Sequence, residues 1–86
     1  MAVRLTLLVR AYCHLCDDMR AALAVHAAGA PVDELDVDAD PALESRWGAL
    51  VPVLLADGRE VCHYRLNTGA LREVLAQPVA ADSRWR

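Results

Sequence analysis

The stretch Leu8-Val9-Arg10-Ala11-Tyr12-Cys13-His14-Leu15-Cys16-Asp17 decides how the rest of the chain is read. It begins at the end of Val3-Arg4-Leu5-Thr6-Leu7-Leu8-Val9, a run of strand length that is apolar on nearly both faces, as expected of a central strand. From about His14 the apolar period lengthens. Cys16, Met19, Leu23 and His26 or Ala27 fall on one helical stripe, Asp17, Asp18 and Arg20 fall largely off it, and Gly29 and Pro31 end the helix. The two cysteines therefore stand where a strand becomes a helix. The first turn of a helix has unpaired N–H groups and a partial positive potential. A sulfur at Cys13 has its thiolate stabilised there, and the thiolate is the reactive form. Cys16 lies one turn deeper on the same face, close enough to attack a mixed disulfide on Cys13. Arg10 adds a positive charge and Asp17 and Asp18 oppose it, so a moderate lowering of the Cys13 pKa is expected.

Outward from this stretch the chain carries further elements. Residues 32–37 alternate, with Leu35 and Val37 on one face and Glu34 and Asp36 on the other, and read as a second strand. Asp40-Pro41 is an N-cap followed by proline at the first helical position. Leu43 and Trp47 then share a face, and Gly48 stops a short helix. Residues 51–56 read as a third strand, Asp57-Gly58 as a two-residue hairpin turn needing positive φ, and residues 59–64 as the returning strand. Asn67 or Thr68 caps a last helix that buries Leu71, Val74 and Leu75 and ends before Pro78. The order is β-α-β-α-β-β-α. A helix joins the first two strands, so they are parallel with a right-handed crossover. The expected fold is α/β, a four-stranded mixed sheet in the order 2-1-3-4 with helices on both faces. One domain is expected over residues 1–78, with a flexible tail over residues 79–86.

Composition narrows the function classes. The chain has 86 residues, nine arginines, no lysine and 12 acidic residues, for a net charge of −3. Mild acidity argues against nucleic-acid binding and a polybasic membrane surface. Sixteen alanines and no phenylalanine mean that the core is built from Leu, Val, Ala and two Trp. No apolar run approaches the roughly 18 residues of a membrane span. The first residues lack a secretory-signal pattern, so a cytoplasmic protein is expected. Three cysteines are too few for a disulfide framework, and a CxxC in such a chain points to redox or metal chemistry. Val51-Pro52 opens the third strand, where a proline is tolerated because its missing N–H breaks no ladder bond. A cis Val51-Pro52 bond turns the Val51 backbone N–H and C=O outward, towards an extended peptide or thiol substrate.

A strand ending in CxxC at a helix start, a βαβ unit, an X-Pro before a β-hairpin and a final helix together resemble the thioredoxin superfamily. The short N-terminus and small size resemble its glutaredoxin branch, in particular the small bacterial glutaredoxin-like proteins. The segments that carry the likeness are residues 8–17, Asp36-Val37-Asp38-Ala39-Asp40-Pro41, Arg46-Trp47-Gly48 and Val51-Pro52-Val53-Leu54, within about residues 3–76. The resemblance implies a thioredoxin-like fold and a thiol-disulfide oxidoreductase acting on protein or small-molecule disulfides. Cys13 would be the nucleophile, Cys16 the resolving thiol and Pro52 a cis-proline facing them. Arg10 stands where glutaredoxins usually carry a lysine that contacts glutathione. Two departures shape the expected donor. His14-Leu15 replaces the usual Pro-Tyr, and His63-Tyr64-Arg65-Leu66-Asn67-Thr68 lacks the Gly-Gly pair that precedes the glutathione-holding helix. Weak glutathione binding is therefore expected, with reduction by a protein dithiol such as a thioredoxin reductase. The substrate-binding residues are expected to be Arg10, Tyr12, Val51 and Pro52. No cofactor beyond the Cys13–Cys16 couple, no bound metal and a monomer are expected. The first strand also lacks the buried aspartate of thioredoxins, offering Thr6 and Leu7 instead.

A second reading is a non-enzymatic module that binds a protein partner, or a metal through Cys13, Cys16 and Cys62, with His63 as a fourth donor. Against the metal set, a strand separates Cys62 from the motif, and adjacent Cys62 and His63 point to opposite faces. Cys62 reads as an ordinary strand cysteine, His14 as an exposed helix-start residue, His26 as a packing residue and Trp47 as core.

Overall fold

The structure, a computed structural model, describes residues 3–76. The expected tail over 79–86, with Trp85, and the ends of the expected domain lie outside the described residues. The elements are β1 (Leu5–Val9), α1 (His14–His26), β2 (Val32–Asp36), a 3-10 turn (Val37–Ala39), α2 (Pro41–Trp47), a second 3-10 turn (Gly48–Leu50), β3 (Val53–Ala56), β4 (Arg59–His63) and α3 (Thr68–Ala76). The sheet has the order β2-β1-β3-β4. β1 pairs parallel with β2 and antiparallel with β3, and β3 pairs antiparallel with β4. This is the thioredoxin-like α/β architecture that the sequence implied, with its mixed four-stranded sheet in the order 2-1-3-4.

Strand alternation splits the core in two. Leu5, Leu7, Leu54 and Cys62 join Met19, Leu23 and Ala27 of α1 and its cap and Leu71 of α3 on one face of the sheet. Leu8, Val53 and Leu55 join Val37 and Trp47 of α2 on the other. Each fully buried Leu contributes about 1.5–3 kcal/mol through area removed from water, so Leu5, Leu7, Leu8, Leu54 and Leu71, each at most 1 % exposed, carry much of the fold. Trp47 is core, as read from the sequence.

The caps follow from residue type. Asp40 accepts from the Ala42 N–H at 2.9 Å, with Pro41 at the first helical position. Asn67 accepts from the Ala70 N–H at 3.0 Å and caps α3. The Asp57-Gly58 turn has φ of 51° and 85°, the left-handed pair that a tight hairpin matching the strand twist requires.

Four expectations are corrected. Leu35 is 46 % exposed rather than buried. It shares a face with its register partner Leu8, but the seven-residue α2 packs over β1 and β3 and leaves the edge strand uncovered. His26 is exposed, and Ala27 takes its place in the stripe. Leu75 is 38 % exposed, so Leu71 and Val74 hold α3 down. The third strand starts at Val53 rather than Val51, because a 3-10 turn and the Val51-Pro52 step intervene. In β4 a bulge sets Leu54 against Cys62 but Leu55 against Glu60, leaving Val61 as the extra residue. Val61 and Cys62 therefore both contribute to the α1/α3 side, and Glu60 and His63 come to share the opposite face.

Candidate functional site

The site forms at the end of β1. After Val9 the chain turns through Arg10, Ala11 and Tyr12, and Tyr12 has φ of 58°. A bulky residue in the left-handed region costs about 1–3 kcal/mol, and the Tyr12 ring, 104 % exposed, recovers none of it by burial. The turn delivers Cys13 to the N-cap of α1 with extended backbone (φ −111°, ψ 108°). Its Sγ accepts the Cys16 N–H at 3.1 Å, so the sulfur takes the part that a Ser or Asp oxygen usually plays. The same N–H and the helix dipole stabilise a thiolate there. Cys13 is half-buried and Cys16 is 1 % exposed. Their Cα atoms are 5.2 Å apart and the sulfurs are bonded as a disulfide. The three-residue spacing thus yields an outer sulfur at the helix start and an inner one beneath it.

Val51-Pro52 is a cis peptide bond, as expected. Pro52 is buried and Val51 stands extended (φ −60°, ψ 144°). Leu8 pairs with Val53, so continuing the register by one residue sets Pro52 across from Val9, at the sheet end from which the Cys13 turn departs. Beside the motif, a groove of about 290 Å³ runs between α1 and residues 64–68, lined by Leu15, Met19, Ala22, Tyr64 and Leu66 among others.

Two arginines near the motif are paired with acidic side chains. Arg10, read from the sequence as a free positive charge near the thiol, is committed elsewhere. Its Nε and Nη2 donate to Asp38 at 3.0 and 2.9 Å, Nη2 also reaches Glu44 at 3.2 Å, and Nη1 donates to the Gly48 carbonyl at 3.1 Å. The Asp38 hydrogen bonds, with smaller help from Glu44, raise its already high pKa. Asp17, in the first turn of α1, is paired with Arg20 at 2.8 Å, and Arg20 also grips Glu34. Those bonds, Glu34 first and Asp17 second, raise the Arg20 pKa.

Cys62 lies 9 % exposed among Leu5, Leu7, Met19 and Leu54. Burial pushes its thiol pKa up, aided by the charge of Glu60 and opposed by a bond from the Asn67 backbone. His63 Nδ1 is bonded to Glu60 on the other face of the sheet. Among the described residues no three His, Cys, Asp or Glu side chains are grouped to hold a metal ion, so the Cys13–Cys16–Cys62 set is not assembled. No helix of the described residues is long and apolar enough to cross a membrane.

One residue with structural weight here was not singled out from the sequence. Tyr64, also left-handed at φ 65°, donates its hydroxyl to the Ala49 carbonyl at 3.1 Å and its N–H to the Pro52 carbonyl at 2.9 Å. A non-glycine left-handed residue carries no sequence signal. Gly48, read as a helix stop, also sits close to the Arg10–Glu44 pair: a Cβ there would stand 2.6 Å from Glu44 Oε2 and make that flexible side chain shift.

A CxxC disulfide at a helix N-cap, with a cis-proline at the same end of a four-stranded mixed sheet, defines a thioredoxin-fold protein with a redox-type site. The chain belongs to the glutaredoxin-like domain family (DUF836), whose model matches residues 4–76. Among solved structures it is similar to protein Ne2328 from Nitrosomonas europaea, at TM-score 0.79 and 29% identity, covering 88% of this chain and 94% of that one. Protein XcR50 from X. campestris matches at TM-score 0.71 and 41% identity, covering 86% and 97%. A mutant thioredoxin from Halobacterium salinarum matches at TM-score 0.56 and 30% identity, covering 86% and 72%. No curated protein matches the chain.

Proposed function

We propose that the protein is a thiol-disulfide oxidoreductase that reduces protein or small-molecule disulfides with the Cys13/Cys16 couple. The observation that carries this reading is the asymmetry of the pair: Cys13 Sγ caps α1 and is half-buried, whereas Cys16 is enclosed. The Cys13 thiolate attacks one sulfur of a substrate disulfide. A Cys13–substrate mixed disulfide forms, and the other substrate sulfur leaves as a thiolate that takes up a proton. Cys16 then loses its proton and attacks Cys13 Sγ. The second substrate thiol is released, the Cys13–Cys16 disulfide closes, and two electrons have passed to the substrate. Thiolate stabilisation at Cys13 serves the first step, where Cys13 is the nucleophile; in the second, Cys16 attacks and the substrate sulfur is the leaving group. The similarity to a thioredoxin supports the same chemistry.

The exposed Tyr12, the extended Val51 and the groove beside Leu15 suit an extended peptide substrate passing over Cys13. For the donor, the reading favours a protein dithiol over glutathione. Glutathione is an anion that needs held positive charge and free N–H groups. Arg10 already serves Asp38 and Glu44, and the Asn67 side chain already takes the Ala70 N–H at the start of α3.

The test is a pair of substitutions. Cys13→Ser is expected to abolish disulfide reduction, and Cys16→Ser to accumulate a mixed disulfide on Cys13 visible by mass spectrometry. Turnover surviving Cys13→Ser, or a mixed disulfide forming on Cys16 instead, overturns the assignment.

A further inference from the structure

The segment that brings Val51 and Pro52 to the site packs Leu50, Val51 and Pro52 on the core but has few polar bonds of its own. It is a three-residue 3-10 turn without a side-chain cap, followed by a proline that has no N–H to give. Three of its carbonyls are instead held by two residues from elsewhere. Arg10 donates to Gly48 at 3.1 Å. Tyr64 donates its hydroxyl to Ala49 at 3.1 Å and its backbone N–H to Pro52 at 2.9 Å. The two come from different strands: Arg10 follows β1 and Tyr64 follows β4.

Both residues are built for this position. Asp38 and Glu44 fix the Arg10 guanidinium with three of its nitrogens in use. Gly48 has ordinary helical dihedrals, so its backbone admits any residue. A Cβ there, however, would stand 3.1 Å from Arg10 Nη2 as well as against Glu44. A side chain at position 48 would make the guanidinium and the Glu44 carboxylate give way. Tyr64 pairs with Ala49 and Pro52 from a left-handed backbone that is uncommon for an aromatic residue, and its ring meets His63 edge-on at 4.7 Å.

We propose that Arg10 and Tyr64 are positioning residues that clamp residues 48–52 from two sides and thereby set the affinity of the site for extended, disulfide-bearing peptides. The proposal rests on the oxidoreductase reading above and adds the substrate-recognition device to it. A peptide that pairs with the Val51 backbone meets a partner already in place, so less ordering opposes binding. Neither side chain hydrogen-bonds Cys13 or Cys16 among the described residues, so the clamp acts on the docking backbone and leaves the thiol chemistry to α1.

The experiment uses the full chain with Tyr64→Phe, which removes only the hydroxyl bond, and Arg10→Lys, which keeps the charge but loses the planar fork. Each is assayed for dithiothreitol-driven reduction of a disulfide-bonded peptide. KM is expected to rise about three- to tenfold in each, the range of one lost hydrogen bond. The kcat and the pH profile of Cys13 alkylation are expected to stay as in the wild type, while amide hydrogen exchange over residues 49–53 quickens. Unchanged KM and unchanged exchange in both variants, beside an active wild type, overturn the clamp alone. So does a shifted Cys13 alkylation profile at constant KM, which makes Arg10 an electrostatic partner of the thiol. An inactive wild type refutes the oxidoreductase reading and with it the substrate role of the clamp, whatever amide exchange shows.

Discussion

Cys13 follows β1 and Cys62 lies near the end of β4, strands that run in the same direction, yet the two sulfurs meet opposite surroundings. Cys13 stands half-exposed at a helix start and receives a backbone N–H. Cys62 is packed among leucines, where the charged form loses its hydration, and its pKa rises. The same atom is prepared for nucleophilic attack in one place and kept as a small apolar filler in the other. What differs is the surroundings, and thiol chemistry here belongs to the cap and the solvent, not to the residue type.

Four measurements sharpen or break this contrast. The largest expected effect is in alkylation of the reduced protein at neutral pH. Cys13 should react about a hundredfold or more faster than Cys62, since each pKa unit changes the thiolate fraction tenfold and burial removes access. Comparable rates, read by mass spectrometry, dissolve the distinction. Next comes the donor. Turnover with a protein dithiol and its reductase should exceed turnover with millimolar glutathione and glutathione reductase by about tenfold or more, because Arg10 is already paired with Asp38 and Glu44. Equal rates overturn the preference and make the protein a working glutaredoxin.

A smaller effect is expected from Cys62→Ser. Disulfide reduction should persist, with stability lowered by roughly 1–2 kcal/mol for a hydroxyl placed in an apolar pocket. Zinc titration should show no tight site that this substitution removes. A stoichiometric zinc lost with Cys62 revives the metal module. The smallest effect lies in pH dependence. The folded-state pKa of Cys62 is raised, so its contribution to stability is full below the unfolded thiol range and declines as pH rises through the folded value. With the Cys13–Cys16 pair oxidised, the wild type should lose more stability than Cys62→Ala as pH is taken into the alkaline range. Parallel stability curves for the two proteins contradict the assigned environment.

How far the sequence carried depended on the range of the interaction involved. Periodicity placed the four strands and three α-helices of the described residues, because the 2-residue and 3.6-residue patterns are written in the nearest neighbours. The Asp40-Pro41 start, the Asp57-Gly58 turn and the CxxC at a helix start are likewise local, each set by backbone preference or capping within a few residues. The cis Val51-Pro52 bond followed from the superfamily likeness rather than from the proline itself.

Tertiary structure decided the rest. Whether Leu35 and Leu75 are covered depends on how far α2 reaches and on which side of α3 meets the sheet, neither of which is encoded at those positions. The bulge at Val61, which puts Glu60 and His63 on one face, arises from pairing with β3 and not from β4 alone. Arg10 read as a charge for the thiol because it stands three residues from Cys13. Only the fold brings Asp38, Glu44 and Gly48 to its guanidinium from 28 to 38 residues away. Tyr64 was silent for the same reason, since its partners Ala49 and Pro52 lie across the hairpin. Short-range sterics and hydrogen bonds determine elements and caps from sequence. The partner of a long polar side chain is chosen among groups that only the folded chain assembles.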